Sequence, residues 1–292
     1  MIKLIASDMD GTLLNDKMAV SDRNIEAIKN AQKAGIEFLI ATGRSIEEAR
    51  PFLKDRVHPG FITLNGAEVY DDKEQPISSN PLSEDSKNKV IEYFHKHNMY
   101  FEVVTNKGVF SDNKELRISS LAQLLVKLNP STTYEDALKA TVERVKMTPM
   151  TFVPNYDEIL NDKSYQIMKL LAFSDKEKEV LDPLKKEIED NISDVVVTSS
   201  SPNNVEINSI DAQKGIALLE YAESKNIKPE ETMAIGDNLN DASMIKAAGV
   251  GVAMANAIPT IKELAQISTD NNVNDGVAQI VEKVIAKANS QE

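Results

Sequence analysis

The stretch KLIASDMDGTLL, residues 3 to 14, opens as a short apolar run and closes in a polar turn. Lys3 to Ser7 reads as a buried strand. Downstream, Ser21 is placed to cap a helix whose apolar positions include Ile25, Ile28, Ala31 and Ala34, with Gly35 at its stop. Glu37 to Ala41 (EFLIA) reads as a second buried strand and Phe61 to Leu64 as a third. Strand–helix–strand alternation predicts a parallel sheet with helices on its faces. Asn65-Gly66 is a strong turn signal, and a polar, hairpin-like stretch runs from it to about Asn80.

The middle of the chain reads differently. A helix starting near Ser83 carries Val90, Ile91 and Phe94 on one face, and Tyr100 to Thr105 alternates like a strand. A long, mainly helical region is expected from Glu115 to about Lys146. Strands are expected at Gln166 to Phe173 and Asp194 to Ser200, with a helix between them. Turn residues cluster near Pro81 and near Ser201-Pro202, which suggests domain boundaries there. Strand–helix alternation then returns: helix over Lys214–Ala222, strand over Thr232–Ile235, helix over Asn240–Ala248, strand over Val250–Met254, and helices over Ile258–Ala265 and Gly276–Ala286. One α/β domain is therefore expected to be split by an inserted α+β domain, as a length of 292 residues allows.

Composition narrows the function classes. No window is long and apolar enough to span a bilayer, and the N-terminal apolar run is too short for a signal peptide, so a cytoplasmic location is expected. The chain has no cysteine, which excludes disulfides, zinc–thiolate sites and thiol chemistry. Net charge is −13. Such a chain is repelled by nucleic-acid phosphates and anionic membranes, so neither is expected as a partner. An anionic substrate would need a local counter-charge, and a divalent cation is the simplest one.

Four segments at the ends of expected strands carry chemistry, and open parallel sheets place their ligands at strand ends. In Asp8-Met9-Asp10-Gly11-Thr12 one carboxylate can attack phosphorus while the other shuttles a proton; a polar strand-capping turn or a calcium-like loop is the alternative. In Ala41-Thr42-Gly43-Arg44 a hydroxyl and free N–H groups at a helix start suit a phosphate oxygen, although a plain N-cap threonine has the same signature. Arg44 either binds substrate anions or forms a surface pair. Lys214, at the next helix start, can neutralise a nucleophile and a phosphoryl group or be a solvated lysine. Gly236-Asp237-Asn238-Leu239-Asn240-Asp241 is an oxygen-rich turn of the kind magnesium prefers, or an Asx-rich helix cap.

Taken together and in this order, the segments resemble the haloacid dehalogenase-like (HAD) superfamily, and within it the Cof-type branch of sugar-phosphate phosphatases. DMDGTLL, ATGRS, KGIAL and IGDNLNDASM match that pattern, and Gly251–Ala257 (GVAMANA) and Asp275-Gly276-Val277 look like its tail. The resemblance spans the whole chain. It implies a Rossmann-like parallel-sheet α/β core at 1–82 and 204–292, and a C2-type α+β cap inserted at 83–203. Asp8 would be the nucleophile, and Asp10 the general acid and then the base. Thr42 and Lys214 would hold phosphoryl oxygens. Gly11, Thr12, Gly43, Arg44 and Asn240 would complete the substrate site. Mg2+ would sit among Asp8, the Asp10 backbone carbonyl and Asp237, with Asp241 supporting or ligating. Two departures touch no proposed catalytic group: Asp211-Ala212-Gln213 precedes Lys214 where relatives often carry glycine and a hydroxyl residue, and Ala255 stands where glycine is common.

The expected reaction is hydrolysis of a small phosphorylated metabolite through an aspartyl phosphate. A phosphohexomutase returning the phosphoryl group to sugar, and a non-enzymatic phosphometabolite-binding regulator, are the alternatives. The cap is expected to act as a lid over the strand ends, with hinges near Asn80–Ser83 and Ser201–Asn204, and to choose the substrate. His58, His95 and His97 are the only histidines. His95 and His97 share no helical face and read as solvated. The methionines read as packing residues.

Overall fold

A computed structural model describes residues 1–129, 131–147, 150–199 and 201–289. The chain opens with β1 (Leu4–Asp8), α1 (Asp22–Lys33), β2 (Glu37–Ala41), a short α2 (Ile46–Ala49), β3 (Gly60–Thr63) and the hairpin β4 (Glu68–Tyr70) and β5 (Pro76–Ser79). Next come α3 (Glu84–Lys96), β6 (Tyr100–Thr105), β7 (Gly108–Ser111), α4 (Lys114–Leu128), α5 (Tyr134–Met147), β8 (Met150–Phe152), α6 (Asp157–Asn161), β9 (Ile167–Phe173), α7 (Lys178–Asn191), β10 (Val195–Thr198) and β11 (Asn204–Ser209). The chain ends with α8 (Lys214–Ser224), β12 (Thr232–Gly236), α9 (Ala242–Ala247), β13 (Val250–Ala253), α10 (Pro259–Leu264), β14 (Ile267–Ser268) and α11 (Gly276–Asn289).

The contacts divide the chain into two compact units, 1–80 with 211–292, and 81–210. In the first unit an eight-stranded sheet runs β14-β13-β12-β1-β2-β3-β4-β5. Its first six strands are mutually parallel, and β4 and β5 turn back antiparallel. The central strand β1 is buried at all five positions, as a parallel strand covered on both faces must be. Helix α1 packs with α11 and α8 with α9, and one apolar cluster joins these helices to the sheet through Ile5, Ile28, Leu39, Leu218, Ile235 and Val281. Ser21 caps α1 as its sequence predicts, its Oγ accepting from Asn24 N.

The second unit holds a six-stranded sheet, β10-β11-β9-β6-β7-β8, antiparallel except where β7 meets β8. One face packs its Val103, Leu170 and Ile207 with Phe94 of α3 and Leu184 and Ile188 of α7. The alternate residues Glu102, Lys169 and Glu206 are buried too. Lys169 Nζ lies 3.0 Å from Glu206 Oε2, and Arg117 Nη1 lies 3.0 Å from Glu102 Oε1. Buried charges are tolerated when paired in this way.

Several expectations need correction. The boundaries fall at 80/81 and 210/211, where 82/83 and 203/204 were expected. Leu82 N donates to Ile167 O at 2.8 Å and its side chain joins the second unit's core. The unforeseen strand β11 pairs with both β9 and β10, so residues 204–209 belong to the second sheet. The mainly helical region expected from Glu115 to about Lys146 holds two helices, α4 and α5, and Thr133 Oγ1 accepts from Asp136 N at the start of α5. Strands β7, β8 and β14 and helix α6 were also unforeseen. The strand expected over Asp194–Ser200 is β10, and Ser200 lies outside the described residues.

Candidate active site

Asp8 is the last residue of β1. After it the chain folds into a tight loop, Met9–Leu13, closed by Leu14 N donating to Met9 O at 2.9 Å. Gly11 takes a φ of +83° there, a left-handed conformation that glycine adopts without strain. A Cβ at this position would also stand 2.6 Å from Asp237 Oδ2. Glycine is thus what lets the β12 loop approach the β1 loop. Thr12 Oγ1 donates to Asp237 Oδ1 at 2.8 Å and Asn256 Nδ2 donates to Gly11 O at 2.8 Å, locking the loop from two sides.

Lys214, the first residue of α8, is fully buried. Its Nζ donates to Asp8 Oδ1 at 2.6 Å and to Asp241 Oδ1 at 2.7 Å. The other oxygen of Asp241 accepts from Asp237 N at 2.9 Å and Asn238 N at 3.0 Å. Asp241 is therefore occupied on both oxygens. Asp8, Asp237 and Asp241 form an acidic group whose ligand atoms lie within 4.8 Å of one another.

The electrostatics follow from burial and crowding. Burial, and then the charge of Asp241, raises the Asp8 carboxyl well above the ordinary carboxylate range, Lys214 opposing. Burial raises Asp237 to about 6, against the hydrogen bond from Thr12. Burial alone would discharge Lys214; the carboxylates of Asp241 and Asp8 outweigh it and keep the ammonium charged. Three acids thus share one buried cation. A divalent ion among these carboxylates would relieve their mutual repulsion, and an all-oxygen donor set suits a hard ion such as Mg2+.

Thr42 and Arg44 follow β2. Thr42 is buried, and its Oγ1 accepts from Arg44 N at 3.1 Å. Arg44 grips Asp10 with two bonds, Nε to Oδ2 at 2.8 Å and Nη2 to Oδ1 at 2.7 Å, and lies 4.9 Å from the centre of the Phe52 ring. Of the two readings of Arg44, pairing is the one seen here, with the partner being Asp10. The Thr12 hydroxyl, expected at the substrate site, donates to Asp237. Asn240 Nδ2 donates to Asn65 Oδ1 at 3.2 Å.

Two residues at the site escaped the sequence reading. Asn256 lies in the GVAMANA segment, noted only as a tail. Asn65 lies in a dipeptide read only as a turn. Their signal was position, since each follows the end of a parallel strand. Of the histidines, His97 is half-buried with its Nε2 2.7 Å from Glu187 Oε2, and His95 meets the Phe101 ring edge-on.

The fold and this cluster define a class. Residues 5–281 match the family model of the haloacid dehalogenase-like hydrolases, and the chain belongs to that family, in its Cof-type phosphatase branch. It is similar to the 5-amino-6-(5-phospho-D-ribitylamino)uracil phosphatase YwtE of Bacillus subtilis, with 32% identity over 98% of this chain and 99% of that protein. It is also similar to the pyridoxal phosphate phosphatase YbhA of Escherichia coli, with 28% identity over 96% of this chain and 97% of the other. A solved haloacid dehalogenase-like hydrolase from B. subtilis superposes with a TM-score of 0.83 at 31% identity, covering 96% of this chain and 99% of its own. No helix among the described residues is long and apolar enough to cross a membrane.

Proposed function

We propose that this phosphatase hydrolyses small phosphorylated metabolites, sugar phosphates first among them, with Mg2+ as cofactor and Asp8 as nucleophile. The carrying observation is the burial of Asp8 at a strand end, with one oxygen on Lys214 and Asp237 beside it. Mg2+ would be held by Asp8 and Asp237 together with the Asp10 backbone carbonyl, and when bound it would neutralise charge on the phosphoryl group. Asp241 then supports the site by fixing Lys214 and the Asp237 backbone.

In this reading an Asp8 oxygen attacks phosphorus and the bond to the leaving oxygen breaks. Asp10 gives that oxygen a proton and afterwards takes one from the water that attacks the aspartyl phosphate. Arg44 must let the Asp10 carboxyl turn toward the reacting oxygens. Lys214 and the Thr42 hydroxyl hold phosphoryl oxygens, and the two loops that carry Gly43 and Asn240 complete the cradle. Choice among metabolites is assigned to the inserted unit, 81–210. The relatives named for phosphoribityl-pyrimidine and pyridoxal phosphate chemistry widen the panel of esters to test.

The test is phosphate release by purified protein from a metabolite panel, with and without Mg2+. Asp8→Asn should lower kcat by more than about a thousandfold with an unchanged circular dichroism spectrum. Near-normal turnover by that variant would remove Asp8 from the mechanism.

A further inference from the structure

The turn Leu64-Asn65-Gly66 that follows β3 lies outside the four motif segments, yet it touches three of them. Leu64 N donates to Arg44 O and Asn65 N donates to Thr42 O, each at 3.0 Å. The turn therefore holds both ends of Thr42-Gly43-Arg44. The Asn65 side chain continues the contact: its Oδ1 accepts from Asn240 Nδ2 at 3.2 Å, and a Cβ on Gly43 would lie 3.0 Å from the same oxygen. Gly66, at a φ of +109°, packs so close to the Gln213 backbone that a Cβ would stand 2.5 Å from the Gln213 carbonyl. Gln213 is the N-cap residue directly before Lys214.

Asn65 itself has a φ of +62° and is buried. A turn alone needs only a residue that tolerates left-handed backbone, and glycine does so more readily than asparagine. The carboxamide is thus surplus to the turn, and it spends its oxygen on Asn240. A side chain held between two loops fixes their spacing, and misplacement of such groups by about 1 Å costs on the order of a hundredfold in rate.

We propose that Asn65 is a positioning residue: through Asn240 and the backbone of Thr42 it sets the distance between the β2 loop and the β12 loop, and so the width of the phosphate cradle. This deepens the phosphatase reading and rests on it. The test is a double-mutant cycle of Asn65→Gly with Asn240→Ala, read as kcat/KM on p-nitrophenyl phosphate, as the dissociation constant of inorganic phosphate by calorimetry in Mg2+, and as Tm. Asn65→Gly should lose about ten- to hundredfold in kcat/KM and weaken phosphate binding, with Tm within a few degrees of the parent. In the Asn240→Ala background the same change should cost little, because positions acting through each other are not additive. In the Asn65→Asp background, which keeps an acceptor oxygen, Asn240→Ala should still carry its full cost.

Additive losses, or a fall in Tm that accounts for them, would overturn the proposal and leave Asn65 a turn residue. Should Asn65→Gly fail to fold, the Asn65→Asp arm decides: loss of coupling to Asn240 there also overturns it. If the parent releases phosphate from no ester, the phosphatase reading falls, while the phosphate titrations still decide whether Asn65 acts through Asn240.

Discussion

Thr12 shows how a polar side chain can serve the site through a neighbouring carboxylate. Its hydroxyl donates to Asp237 Oδ1 from full burial. Removing an outer partner of a metal-binding carboxylate typically costs about 10- to 100-fold in metal affinity or activity. Thr12→Val, nearly the same shape, should weaken activation by Mg2+ about tenfold in a titration of rate against Mg2+, while leaving kcat at saturating metal within a few-fold of the parent. Equal activation curves for the two proteins would show that the hydrogen bond does not tune Asp237. From the chain alone, the candidates Asp8, Lys214 and Asp237, which the structure brings together, were legible because acids, glycines and a lysine recur at strand ends. The partners of Thr12 and Arg44 were not, since a side chain's direction depends on loops 225 and 34 residues apart in sequence closing on one another.

Among the elements, periodicity revealed the long ones. The central strands β1, β2 and β12 are continuous apolar runs, and α1 and α3 carry an apolar stripe and a serine cap. Strand β11, NVEINS, alternates over its first five residues, so its signal was present; the turn at Ser201-Pro202 drew the boundary in front of it instead. The cap of α3 reaches further than its helix. Ser83 Oγ accepts from Ser86 N, and it donates to Asp194 Oδ2 at 2.9 Å; Ser86 Oγ donates to the other Asp194 oxygen. These bonds, Ser86 first, hold the Asp194 carboxyl below its ordinary range. A group lowered in the folded state adds stability above its unfolded value and loses it as pH falls through the folded value. The Asp194 contribution is therefore present at pH 7 and fades below about pH 4. It is small because the carboxylate is largely solvated. Asp194→Asn should lower the urea midpoint at pH 7 and converge on the parent near pH 3. A constant gap between the two curves across that range would show that ionisation at Asp194 is not what matters.

At the scale of the whole chain, the two units divide the work in the proposed function: the split unit carries the acids, and 81–210 carries selectivity. Replacing 81–210 by a short flexible linker should flatten the preference among phosphorylated metabolites while retaining most turnover of a small activated ester such as p-nitrophenyl phosphate. Equal loss on every substrate would count against selectivity residing in the insert. The alternation of strand and helix predicted the split. The exact seams were hidden because Leu82 and β11 read locally as connectors and declare their allegiance only through long-range pairing.

The same split governs the order in which the molecule can be made. In the central sheet Leu4 pairs with Thr232 and Ile5 with Met233. On the ribosome β1 therefore emerges long before its neighbour β12, by some tens of seconds at about 5–20 residues per second. The continuous unit at 81–210 has all its strand partners in hand by then and is free to fold first. The earlier unit has to wait, with the apolar strands β1, β2 and β3 already synthesised and one edge of β1 unpaired. Unpaired edges invite association, so the nascent chain is most exposed to aggregation and to chaperones in the interval before β12 arrives.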